Sequence, residues 1–150
     1  MPEPPFHDTN KNARIYFIQE YLLDKFRNGS IGNVDIEKIL LENGARRLLF
    51  PSQFDFSIWA KIRRSLFLLK IFLFLPAKAI IFFQYPYHAR MTGLLIKLLQ
   101  YRRSVNLVCI IADINGIKHG DPQLLEKEKK LFGRYRYFIV HHAAMENWLR

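Results

Sequence analysis

The run VNLVCIIA, Val105–Ala112, decides the fold. It is the clearest strand in the chain, a short and almost wholly apolar stretch rich in β-branched residues. Upstream, Ala79–Phe83 is a second continuous apolar run, the pattern of a strand buried on both faces. Between the two, Met91–Tyr101 carries Leu94, Leu95, Leu98 and Leu99 on one helical face. A strand, a helix and a strand in that order predict a parallel pair joined by a crossover.

The same alternation extends in both directions. Toward the C-terminus, Asp113–Gly120 reads as a loop, and Asp121 or Pro122 opens a charged helix that runs to about Phe132. Tyr137–Val140 is a further strand, and Ala143–Arg150 begins another helix. Toward the N-terminus, Ser57 caps a helix whose apolar positions Ile58, Ile62, Leu66, Leu69 and Leu73 follow helical spacing. Its second half is apolar nearly all round, and Pro76 breaks it. Arg46–Phe50 is a strand stopped by Pro51. Val34–Glu42 is a helix, with Asp35 and Glu37 placed in its first turn and Asn43 and Gly44 at its end. Ile15–Gln19 is the first strand, and residues 1–14 read as a flexible extension.

Five strands alternating with helices predict an α/β fold. The expected form is a Rossmann-like parallel sheet with right-handed crossovers and helices on both faces. At 150 residues the chain fits one domain, here spanning residues 15–150. Ligands collect at the carboxyl ends of the strands in such sheets. The tips to inspect are Gln19 and Glu20, Gln84 to Pro86, Asp113 with its loop, and His141 with His142.

Composition narrows the partners. The formal net charge of +10 favours anionic ones, whether phosphate-bearing substrates or acidic lipid headgroups. Nucleic acid is not expected, because no helix-turn-helix, RRM or zinc-finger signature is present. The lone Cys109 lies in an apolar run, supports no disulfide, and fits a reducing, cytoplasmic compartment. The residues from Met1 to Arg14 show no apolar leader. Leu66–Phe83 is the nearest approach to a membrane span, but Lys70, Pro76 and Lys78 interrupt it.

Several residues at the tips carry chemistry. The NGSIGN loop, with Asn28 and Ser30, can bring backbone N–H groups to an anion, or simply connect. It is neither GxGxxG nor a Walker loop, so no cofactor is expected and a stand-alone nucleotide-binding enzyme is disfavoured. Gln84, Tyr85, Tyr87 and His88 offer hydrogen-bonding groups and flat faces suited to sugars, or pack at the sheet rim. Asp113 can act as a base, orient another group, bind substrate hydroxyls, or stabilise a turn with Asn115 and Gly116. His141 can bind substrate or shuttle a proton, or serve as a satisfied strand end. The five histidines show no metal-ligand spacing, so no metal is expected. The helix from Ser57 to Leu75 combines Lys61, Arg63, Arg64 and Lys70 with Phe67, Phe72 and Phe74. It is either a core helix with basic side chains reaching outward or a surface for an anionic membrane.

Four stretches together resemble a known family. They are GNVDIEKILLENG (Gly32–Gly44), IIFFQYP (Ile80–Pro86) after its basic, apolar helix, VCIIADINGIK (Val108–Lys118) and YFIVHHAAMENWL (Tyr137–Leu149). In order and spacing they are similar to the bacterial galactofuranosyltransferases and the related glucosyltransferases that modify glycoproteins. Ala112 stands where that family often has His, His142 where it has Asn, and Lys118 where an Arg is common.

The resemblance implies the N-terminal half of a GT-B architecture. In such an enzyme a sugar passes from a UDP-sugar to a glycan or saccharide acceptor for polysaccharide biosynthesis. The acceptor would bind at the strand ends, through Gln84, Tyr85, His141, Asn28 and Ser30, with Asp113 catalytic and Lys118 facing the nucleotide-sugar donor. A second domain would hold that donor. The expectation is therefore an incomplete unit, inactive alone, that works with a partner chain, a second copy or a missing domain. The alternative expectation is a non-enzymatic basic module on the inner face of a membrane.

Overall fold

The computed structural model describes residues 14–20, 31–51, 57–87 and 90–149. Five strands form one sheet: β1 (Ile15–Glu20), β2 (Arg46–Phe50), β3 (Ile80–Tyr85), β4 (Asn106–Ile111) and β5 (Tyr137–Val140). Their order is β2-β1-β3-β4-β5, and every neighbouring pair is parallel. Among the described residues, six helices connect or follow them: α1 (Ile31–Glu42), α2 (Ile58–Phe74), α3 (Arg90–Gln100), α4 (Asn115–His119), α5 (Pro122–Phe132) and α6 (Ala143–Leu149). The expected α/β fold with an all-parallel, helix-flanked sheet is what the chain adopts.

Local chemistry explains several helix ends. Asn43 and Gly44 close α1 in a Schellman motif: Gly44 N–H donates to Leu41 O at 3.0 Å and Ala45 N–H to Leu40 O at 2.9 Å. Gly44 takes the left-handed φ of 80° that this motif requires. Ser57 Oγ accepts from Ala60 N–H at 3.1 Å and caps α2. Asp121 Oδ1 accepts from Gln123 and Leu124 N–H at 2.9 and 3.1 Å, and Pro122 fills the first turn of α5.

The topology distributes the helices. The step from β1 to β2 runs along the sheet in one direction, and every later step runs in the other. Right-handed crossovers then put α1 on one face and α2, α3 and α5 on the opposite face. The main buried cluster lies on that second face, while Phe17, Val108 and Ile110 are buried on the α1 face. Ile81, Phe83 and Tyr85 of β3 meet Leu68 and Ile71 of α2, Leu95, Ile96 and Leu99 of α3, and Phe132 of α5. Edge-to-face ring pairs join the layers, Phe50 with Phe67 at 5.1 Å and Tyr85 with Phe132 at 4.9 Å. On the α1 face, Arg47 pairs with Glu37 and sits over the Phe17 ring.

Five expectations need correction. Helix α1 begins at Ile31, so the end of the NGSIGN segment is helical and Asp35 and Glu37 lie beyond the first turn, where the dipole acts weakly. β3 begins at Ile80 and reaches Tyr85, because β4 pairs with it through Gln84–Ile110 and Tyr85–Ile111. The segment Asp113–Gly120 is not a plain loop, since Asn115–His119 forms α4. In α3 the buried face is Thr92, Leu95, Ile96 and Leu99, and Leu94 is exposed. In α2 the periodic stripe of Ile58, Ile62, Leu66, Leu69 and Leu73 faces outward, while Ala60, Arg64, Leu68 and Ile71 are buried. Among the described residues, no helix is long and apolar enough to cross a membrane.

Candidate functional site at the strand tips

Parallel pairing sends all five carboxyl ends to one edge of the sheet. The order reverses direction between β1 and β3, which makes their carboxyl ends the switch point where open α/β sheets bind ligands. The register opens there. β1 follows β2 as far as Glu20–Phe50, and β3 follows β4 as far as Tyr85–Ile111. β1 and β3 pair only through Ile15–Ile80, Tyr16–Ile81 and Phe17–Phe82. Beyond those residues the β1–β3 pairing stops, and Ile18, Phe83 and Tyr85 there are buried.

The sequence-predicted residues distribute around this edge as follows. Gln84 and Tyr85 are adjacent in β3 and therefore address opposite faces of the sheet. Gln84 is half-buried on the α1 face, level with Ile110 of β4. Tyr85 is buried in the core, and its hydroxyl donates to Glu128 Oε1 at 2.5 Å. Burial first, then the Glu128 carboxylate, pushes the Tyr85 phenol well above its ordinary range. Its ring and hydroxyl are thus committed inward. His141 and His142 are exposed just past β5, and the His142 carbonyl accepts from Met145 N–H at 3.1 Å as α6 begins. Asn28, Ser30 and His88 lie outside the described residues.

Asp113 and Lys118 come together. Asp113 Oδ2 accepts from Lys118 Nζ at 2.6 Å, and Oδ1 accepts from the Ile114 N–H at 3.0 Å. The Lys118 hydrogen bond is the main reason the Asp113 carboxyl is held below the usual carboxylate range. Both side chains remain accessible. An ionised carboxylate and an ammonium therefore sit side by side at the tip of β4.

One residue at the centre of this edge escaped the sequence reading. Glu128 of α5 is only 2% exposed. Besides the Tyr85 hydroxyl, it accepts from Asn115 N–H at 2.8 Å through Oε1 and from Gly116 N–H at 2.8 Å through Oε2. Those two N–H groups belong to the first turn of α4 and have no intrahelical partner. The carboxylate satisfies them and sits at the positive end of the helix dipole. Gly116 is needed for this approach: a Cβ there would lie 2.6 Å from Leu125 backbone atoms and 2.7 Å from Glu128 Oε2. The signal in the sequence was the spacing Leu125, Glu128, Phe132, which sets a carboxylate into the apolar stripe of α5.

The arrangement is a braced platform. Glu128 ties the tip of β3 to the start of α4, and Asp113 stands immediately before α4. The accessible pair Asp113–Lys118 is thereby presented from fixed backbone, as a binding group must be. Among the described residues, no group of three His, Cys, Asp or Glu side chains is placed to hold a metal ion.

An all-parallel sheet of this order, flanked by helices, defines a Rossmann-like α/β domain. Residues 14–150 match the family described as glucosyltransferase 3-like, N-terminal domain, and the chain belongs to that family. That description points to a glycosyltransferase function. No curated protein matches the chain.

Proposed function

We propose that this domain forms the acceptor wall of a bacterial hexosyltransferase of GT-B architecture. The enzyme transfers a glucosyl or galactofuranosyl unit from a UDP-sugar to a glycan acceptor. The family's description as an N-terminal domain supports a division of labour, with a second domain holding most of the donor. The place of Gln84 at the carboxyl end of β3, beside the switch point of the strand order, carries the reading.

Within that wall the residues take distinct parts. Gln84 and His141 supply hydrogen bonds to acceptor hydroxyls. Asp113 binds hydroxyls as a fixed acceptor; its lowered pKa makes it a weak proton abstractor near neutrality, where a general base works best with a matching pKa. Lys118, accessible beside Asp113, offers a positive charge to the leaving diphosphate. Tyr85 acts from within the core, positioning the platform through Glu128.

The test is steady-state transfer by the native polypeptide that carries this domain, with UDP-glucose and UDP-galactofuranose as donors. Gln84→Ala and His141→Ala are expected to raise the acceptor KM and leave the donor KM unchanged. A rise in the donor KM alone would place these residues on the other side of the reaction and defeat the proposal.

A further inference from the structure

Helix α2 buries one face and leaves a second, apolar face exposed. The buried face is Ala60, Arg64, Leu68 and Ile71. The other is Trp59, Ile62, Leu66, Leu69 and Leu73, each between 42% and 73% exposed. Their spacing alternates three and four residues, which gathers them within about 80° of arc along roughly 21 Å of helix. Ile58 and Phe74 extend the exposed surface at the two ends. Isolated exposed apolar residues are ordinary, but a continuous stripe on a folded helix marks a contact surface.

Charge identifies the contact. The helix IWAKIRRSLFLLKIFLF contains no acidic residue. Arg63 and Lys70 border the stripe on one side, and Lys61 lies beyond its other edge; all three are exposed. A tryptophan, leucines and a phenylalanine on one face with lysine and arginine beside them fit a helix lying in an anionic lipid interface. Pairing with a second copy would set the same three cations against one another with no carboxylate on either helix. The opposite face is already packed, so the helix can lie on a bilayer without unfolding the domain.

We propose that α2 seats the protein on an anionic membrane surface, with the stripe from Trp59 to Leu73 entering the headgroup region and Lys61, Arg63 and Lys70 meeting the lipid phosphates. Peripheral attachment of this kind is independent of the strand tips and stands or falls apart from the acceptor assignment.

Vesicle sedimentation of the full chain tests it, using phosphatidylcholine vesicles with and without phosphatidylglycerol. Binding is expected only to the phosphatidylglycerol vesicles and is expected to weaken steeply with salt. The triple variant Lys61→Gln, Arg63→Gln, Lys70→Gln is expected to lower partitioning about 100-fold, from roughly fivefold per basic residue near an anionic surface. The pair Leu66→Gln, Leu69→Gln is expected to lower it at least about tenfold, from the apolar surface withdrawn from lipid. Lys127→Gln with Lys130→Gln on α5 removes charge elsewhere and is expected to retain binding. All the substituted side chains are exposed, and circular dichroism verifies each fold. Three results would overturn the proposal: no binding by a folded chain, equal binding to both vesicle types, or stripe variants that bind normally. A dimer in sedimentation velocity that Leu66→Gln, Leu69→Gln dissolves would instead assign the stripe to a second copy.

Discussion

The Tyr85 hydroxyl donates to Glu128 Oε1 at 2.5 Å, joining residues 43 positions apart. The bond links the tip of the central strand β3 to the helix α5 that braces α4. A buried carboxylate is costly unless its oxygens are satisfied, and here three donors satisfy them. The candidate site rests on this group.

Removing the Tyr85 hydroxyl tests the brace. Tyr85→Phe leaves Glu128 with its two N–H donors and is expected to cost about 1.5–3 kcal/mol, the range for a hydrogen bond to a charged group. Glu128→Ala strands three buried donors and is expected to cost about 3 kcal/mol or more. The double variant is expected to be less destabilised than the sum of the singles, by about 1–2 kcal/mol. Urea denaturation of the four proteins measures this; strict additivity would mean the two groups do not act together.

Gly116→Ala probes the close approach of α4 to α5. The added methyl meets Leu125 backbone atoms, which cannot swing aside as a side-chain end can. An expected loss of about 1–3 kcal/mol follows from overpacking. Gly133→Ala is the control, since its nearest neighbour is at 3.6 Å. Equal stability of Gly116→Ala and the native chain would show that the two helices are not packed this closely.

The Asp113–Lys118 pair predicts a pH signature. The folded pKa of Asp113 is depressed, so the pair's contribution to stability is present above the unfolded carboxylate pKa and is lost as pH falls through the folded value. Lys118→Met is expected to return the Asp113 pKa toward the usual carboxylate range, read by carboxyl carbon NMR. High salt is expected to shrink the shift in the native chain, because both partners are accessible. An unchanged titration in Lys118→Met would remove Lys118 as the cause.

Cys109 is fully buried in β4, and desolvation pushes its thiol up to about 12. The thiolate is the reactive form, so the folded chain is expected to resist thiol reagents near neutral pH and to react promptly once unfolded in guanidinium. Rapid labelling of the native protein would contradict the burial of β4.

The sheet was legible because β3 and β4 are apolar runs bounded by Pro76, Pro86 and Asp113; β4 is buried on both faces, and β3 is buried on one and half-buried on the other. Ser57, Gly44 and Asp121 marked helix ends because capping is local chemistry. The burial of α2 was not legible. Apolar residues occupy both of its faces and Arg64 lies on the buried one, so periodicity reported a stripe without saying whether the core or the surroundings received it. Tyr85 looked available for ligand because a strand-end tyrosine usually lies at the rim. Only the tertiary partner, Glu128, turns it inward. Short α4 was hidden by Asn115, Gly116 and Gly120, residues that favour turns when no buried carboxylate holds the first turn.

The most direct test of the acceptor wall is the amide NMR spectrum of the chain during titration with glucose- and galactose-terminated disaccharides. The account predicts shifts concentrated at Gln84, Tyr87, Asp113, Lys118 and His141, at the carboxyl edge of the sheet. No response at that edge, or shifts confined to the opposite edge near Ala79, Ser104 and Asn106, would contradict it.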